Sequence, residues 1–241
     1  MRYLHYTLVC SVLICSACSY QPVPVESKAF SHAERLALIQ THLLLGQWSQ
    51  AKKQLELIPE SGRLLEYWRL KSLYALSVEE PIKAMTIHKE GLSHFSKDDF
   101  LLNNYGVLLG QVGDWQEACE VFRKASNNGL SIRQSVWINL ARCAIRQYDV
   151  NLATVAIKEA KEIADLPLLG LMTELNLVLI QDNLTSARLI LKNIQADKKI
   201  ARNSVHFEEY NCLSRQVNAR ETDLTLYSSA SAFSCLNSSR Y

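Results

Sequence analysis

Five alanines, Ala51, Ala84, Ala118, Ala153 and Ala187, stand 33, 34, 35 and 34 residues apart. A spacing of that size, held over most of a chain, restricts the fold to like units stacked along one axis. The unit is clearest in LLNNYGVLLGQVGDWQEACEVFRKA, where Tyr105 and Gly106 precede Gly113, Asp114 and Trp115, then Ala118, Phe122 and Ala125. This pattern predicts a helix, a tight turn and an antiparallel second helix. Gly106 and Ala118 are small where the two axes cross closely, Gly113 permits a left-handed turn residue, and Trp115 and Phe122 fill the space between units.

The other copies follow less closely. The first has Gly46, Trp48, Ala51 and Leu55 in the corresponding places, with Pro59 stopping its second helix. The second, around EYWRLKSLYALSVEEPIKAM, holds one extra residue in its first helix or turn and opens its second helix on Pro81, where a missing N–H costs nothing. The fourth keeps Trp137, Leu140, Ala141, Ala153, Ile157 and Ala160 but has Tyr148 where glycine is expected. The fifth keeps Ala187 and Leu191, with Asp182 and Asn183 in its turn. Past residue 200 the chain is helical in character but poorly patterned, as expected of a terminal cap facing water. Five repeats are clear and a sixth pair is degenerate. Only 8 glycines and 5 prolines occur in 241 residues, which suits helices joined by short turns. The recurring turn residues break any heptad run and set a coiled coil aside. Lys and Arg number 26 against 24 Asp and Glu, so no basic excess exists to neutralise a phosphate backbone and nucleic acid is not an expected partner.

The chain opens MRYLHYTLVCSVLICSACSYQPVPVESK. Arg2, an apolar run from Leu8 to Cys15 and the small pair Ser16–Ala17 form a secretory signal. A spanning helix needs about 20 apolar residues, and this run is interrupted at Ser11 and Ser16 and ends at Pro22. The small pair before a cysteine resembles a bacterial lipobox, although Cys15 stands where leucine is usual. The resemblance implies cleavage after Ala17 and acylation of Cys18, and Ser19, in place of an inner-membrane Asp signal, implies the outer membrane. Each buried methylene of such a lipid contributes about 0.8 kcal/mol, so several chains anchor firmly. The expected organisation is a signal over 1–17, the acylated cysteine and an extended tether with Pro22 and Pro24 over 18–30, and a repeat domain over 31–241.

Catalytic signatures are missing: the sequence has no GxSxG, no glycine-rich phosphate loop and no HExxH, so neither an enzyme nor a cofactor or metal is expected. His88 and His94, six apart, are expected as surface histidines near a helix terminus. Glu79 with Glu80 and Asp98 with Asp99 precede helices, where negative charge offsets the helix dipole. Beyond Cys18, the cysteines Cys119, Cys143, Cys212 and Cys235 allow three complete pairings in an oxidising compartment. Cys119 and Cys143 can be neighbours in a solenoid; a disulfide there and burial as small hydrophobes both remain open.

The unit resembles the tetratricopeptide repeat. More specifically, residues 99–160, with NNYGVLL at 103–109 and Asp114, Trp115, Glu117 and Ala118 at the turn, resemble the PilF/PilW lipoproteins of type IV pilus biogenesis. The resemblance implies an all-α, right-handed superhelical array. It also implies a pilotin: an outer-membrane lipoprotein whose periplasmic body binds the pilus secretin subunit and promotes its localisation and multimerisation without catalysis or a small-molecule substrate. First helices of such an array line a concave groove. In ligand-holding tetratricopeptide proteins an asparagine one place before the large residue of the first helix often bonds a peptide backbone, and Asn104 and Asn139 stand there. Asn103, Val107 and Gln111, then Ile138, Arg142 and Arg146, complete the expected partner groove. Many members carry a cysteine pair in the first helices of the third and fourth repeats. Cys143 matches one; Gly110 stands where the other belongs, so that bridge cannot form and Cys119 is at most a substitute. The alternative function is a lipoprotein adaptor of outer-membrane protein assembly or of cell-wall hydrolases.

Overall fold

The structure, a computed structural model, describes residues 30–127, 131–197, 200, 204, 206–221 and 235–238. The signal, Cys18 and the tether up to residue 29 therefore lie outside the described residues, as does the segment 222–234. Ten helices form five antiparallel pairs: α1 (His32–Leu44) with α2 (Trp48–Glu56), α3 (Leu65–Val78) with α4 (Pro81–His94), α5 (Asp99–Gln111) with α6 (Trp115–Asn127), α7 (Gln134–Arg146) with α8 (Val150–Ile163), and α9 (Leu168–Ile180) with α10 (Leu184–Asp197). An eleventh, α11 (Phe207–Glu221), packs on α9 and α10, where the first helix of a sixth pair belongs, and a 3-10 turn follows at Cys235–Ser238. First helices touch one another in succession, from α1 to α3 and onward to α11, while second helices pack on the first helices flanking them. The first helices thus form the inner, concave wall. Among the described residues no helix is long and apolar enough to cross a membrane.

All five alanines of the repeat register are fully buried. The reason is visible in the third pair, where a Cβ on Gly106 of α5 would sit 2.6 Å from the Phe122 ring of α6. Gly110 is small for a similar reason, since a Cβ there would lie 2.9 Å from the Trp115 ring. The indole occupies the space that a cysteine at this position would need.

Four of the five turns within pairs are built the same way from different residues. Positive φ occurs at Gly46 (66°), Gly113 (88°), Tyr148 (59°) and Asp182 (54°), each five residues before a register alanine. The next residue caps the second helix in three of the four: Asp114 accepts from the Glu117 N–H, Asp149 from Leu152 and Asn183 from Ser186. Tyr148 and Asp182 therefore adopt the left-handed conformation that glycine was expected to supply. Replacing Tyr148, which is 70% exposed, by glycine is expected to raise stability by about 0.5–1 kcal/mol, because relief of αL strain exceeds the added unfolded-state entropy. Urea unfolding checks this; an unchanged or lower midpoint counts against it.

The second pair departs for a definable reason. Helix α3 has 14 residues where α1, α5, α7 and α9 have 13, and only two residues separate it from α4. The extra residue extends the helix and shortens the turn, and Glu79 takes an extended conformation (φ −93°) instead of αL. Pro81 is at the start of α4.

His88 corrects the expectation of a surface histidine: it is fully buried, and its Nδ1–H donates to the Ala84 carbonyl at 2.8 Å while Nε2 has no hydrogen-bond partner among the described residues. His94 remains exposed and stacks on Trp68. Burial holds the His88 pKa below the ordinary imidazole value, the Ala84 hydrogen bond opposing this only in part. The unfolded chain therefore takes up the proton first. The stability contribution is fully present above the ordinary imidazole pKa and is lost as pH falls below it toward the depressed folded value. Thermal melts from pH 7.5 to 5 are expected to show a falling midpoint whose slope is smaller in His88→Leu, the remainder coming from His206, which burial also holds below the ordinary imidazole value; equal slopes in both proteins would contradict a contribution from His88.

Candidate functional site

The concave wall divides into a filled half and an open half. In the third and fourth repeats Asn103, Asn104, Asn139 and Arg142 are 7, 6, 5 and 2% exposed. Asn139 Nδ2 donates to Asn103 Oδ1 at 2.9 Å, and Asn104 Nδ2 to Ser72 Oγ at 3.2 Å. These amides, expected to hold a peptide backbone, join successive first helices to one another. Ile138 is buried against Ala160 and Leu166. Val107 is half-buried and Gln111 exposed.

The two arginines of α7 reach still further along the chain. Arg142 makes a paired contact with Glu209 of α11, Nη1 to Oε1 at 2.8 Å and Nη2 to Oε2 at 2.9 Å, and neither side chain exceeds 2% exposure. Its Nη1 also lies 3.4 Å from Thr173 Oγ1 of α9. Arg146 lies 3.8 Å over the Trp115 ring and donates through Nη2 to the Leu236 carbonyl at 2.6 Å. The segment expected as a cap facing water thus sends Glu209 and Leu236 into the inner face of the array.

Two disulfides fix this half. Cys119 of α6 is bonded to Cys143 of α7, across the boundary between the third and fourth repeats, and Cys212 of α11 to Cys235 of the 3-10 turn. Of the three complete pairings open to the four cysteines, the structure contains this one.

The open half lies nearer the N-terminus. A cavity of about 310 Å³ is lined by Leu43, Leu44 and Trp48 of the first repeat, Leu70 and Leu73 of α3, and Phe100 of α5, with Glu66, Arg69 and Arg133 among its polar residues. Both arginines are already matched. Arg69 Nη2 lies 2.5 Å from Asp98 Oδ2, a hydrogen bond that raises its pKa, and Arg133 Nε lies 2.9 Å from Asp99 Oδ1 with its guanidinium over the Phe100 ring. Asp98 also caps α5 through the Leu101 N–H. With these charges paired, recognition here rests on apolar contact. Leu44 is 79% exposed and Trp48 38%. The run Leu43–Leu44–Leu45 carried a signal for this surface. Leu43 and Leu44 close α1 and point about 100° apart, and Leu45 caps the helix, so one packed face cannot cover all three. A larger cavity of about 520 Å³ lies along α8, α9 and α10, but Lys161 and Glu174 on its wall pair with each other at 2.8 Å.

No protein-family model matches the chain, and no curated protein does. Solved structures do. PilF from Pseudomonas aeruginosa is similar, with a TM-score of 0.61 and 18% identity over 83% of this chain and 88% of that one. A tetratricopeptide repeat protein from Parabacteroides merdae has a TM-score of 0.57 and 11% identity, over 80% of this chain and 75% of that one. At these identities the likeness establishes the fold, an all-α tetratricopeptide-repeat array.

Proposed function

We propose that this repeat array is a lipid-anchored scaffold of type IV pilus assembly that docks a segment of the secretin subunit in the open half of its groove and promotes secretin localisation and multimerisation. The observation that carries the proposal is the exposed apolar surface of Leu44 and Trp48, flanked in the cavity by the partly buried Leu73 and Phe100, on a fold whose inner wall serves protein binding. The lipobox resemblance at Cys18 and the NNYG segment point to the same class of protein. Two disulfides support an oxidising compartment, in keeping with a body in the periplasm and an anchor in the outer membrane. In this role the array acts by positioning its partner, without chemistry of its own.

The test combines the cell and the purified protein. A strain lacking the gene is expected to lose detergent-resistant secretin multimers and extended pili; normal amounts of both would refute the proposal. Leu44→Asp places a charge on an exposed groove residue without disturbing the core, and is expected to weaken secretin copurification about tenfold or more. Cys18→Ser is expected to release the protein from the outer-membrane fraction, and continued fractionation there would refute the anchor.

A further inference from the structure

The filled half of the groove is occupied by the chain's own end. Cys235 and Leu236 are fully buried, and the turn that carries them packs on α11. On the far side Leu236 accepts from Arg146 at the end of α7. The segment thus touches α7 through Arg146 and α11 through its own packing, the two helices that flank α9 in the inner wall. Its bonding is of a kind that a bound peptide would make in a repeat groove: a backbone carbonyl held by a basic side chain and one aliphatic side chain sunk among the helices.

A second observation marks this face as a ligand site. Asn176 of α9 follows Thr173 by three residues, so both stand on the face toward which Arg142 extends. Asn176 is fully buried, yet neither Nδ2 nor Oδ1 has a hydrogen-bond partner among the described residues. A buried carboxamide left unmatched costs about 1–3 kcal/mol. A passing peptide backbone offers both an N–H and a C=O, so a longer ligand can satisfy a group that the chain's own short segment leaves unsatisfied. The bond between Cys212 and Cys235 explains why the poorer occupant prevails, because tethering raises its effective concentration to the millimolar range.

We propose that the inner face of α7, α9 and α11 is a second peptide-binding site, for a segment bearing a leucine-like side chain, which Cys235–Leu236 occupies in cis under the Cys212–Cys235 tether. It is separate from the open half of the groove and does not depend on the pilus reading. The test uses the purified full chain and a fluorescent peptide of residues 231–240 carrying Cys235→Ser. The variant Cys212→Ser/Cys235→Ser/Leu236→Asp leaves Cys119–Cys143 intact while freeing the site. It is expected to bind the peptide about tenfold or more tightly than the wild type, as burial of one leucine requires. Adding Arg146→Gln to the variant, or Leu236→Asp to the peptide, is expected to abolish the gain. Equal binding to variant and wild type would overturn the proposal, as would binding indifferent to the peptide's leucine. A variant that fails to fold by circular dichroism would also overturn it, by showing that the segment is structural cover.

Discussion

Replacing Glu209 by alanine is expected to lower the unfolding free energy by about 3–5 kcal/mol, because it strands the Arg142 guanidinium in the interior without its partner. The magnitude follows from burial, not from the ion pair as such: the two side chains are 2 and 0% exposed and meet through two parallel hydrogen bonds. A buried pair can be replaced by apolar residues at little cost, since the desolvation of both charges disappears with them. Arg142→Met combined with Glu209→Leu is therefore expected to recover most of the stability lost in Glu209→Ala. Urea unfolding of the single and double variants tests both statements. A loss below about 1 kcal/mol in the single variant would mean that Arg142 reaches water when its partner is removed.

Phe122→Ala is expected to cost a similar amount, about 3–5 kcal/mol, by opening a cavity where the third pair crosses. Phe122 is fully buried, and its ring fills the space that the missing Cβ of Gly106 leaves. The two positions are therefore coupled. Gly106→Ala alone is expected to destabilise by about 1–3 kcal/mol through overcrowding of the ring, yet in the Phe122→Ala background the added methyl enters the cavity and its cost shrinks or reverses sign. Additive losses in a double-mutant cycle would contradict this account of the crossing.

These two sites show what the sequence makes legible and what it does not. Gly106, Ala118 and Phe122 recur at fixed offsets because close crossing of two helices requires them, so local spacing discloses them. The turn geometry is equally local, and even Tyr148 and Asp182 keep it, since the residue after each caps the next helix and the register determines where the chain reverses. Arg142 and Glu209 are 67 residues apart, and no periodicity links them; Arg142 therefore reads as a groove arginine open to a partner. Asn103, Asn104 and Asn139 were located on the correct helices, but a pattern cannot tell whether an amide faces a ligand or the next repeat. His88 reads as a surface residue because it stands near a helix terminus, whereas packing against neighbouring repeats buries a wider arc than the repeat signature marks. The open groove was missed for the converse reason: its leucines resemble core residues, and only the arrangement of repeats shows which of them stay uncovered.

The two disulfides also change the chain's mechanical length. Each bridge closes a loop, its cysteines standing 24 positions apart in Cys119–Cys143 and 23 apart in Cys212–Cys235. A protein pulled from its two ends cannot pay out the chain inside a closed loop, at about 3.4 Å per residue or roughly 80 Å for each. Under load the first two repeats lie wholly outside both loops, as do α8, α9 and α10 between them, so the N-terminal repeats can extend fully and act as a compliant element between whatever holds the N-terminus and the first bridge.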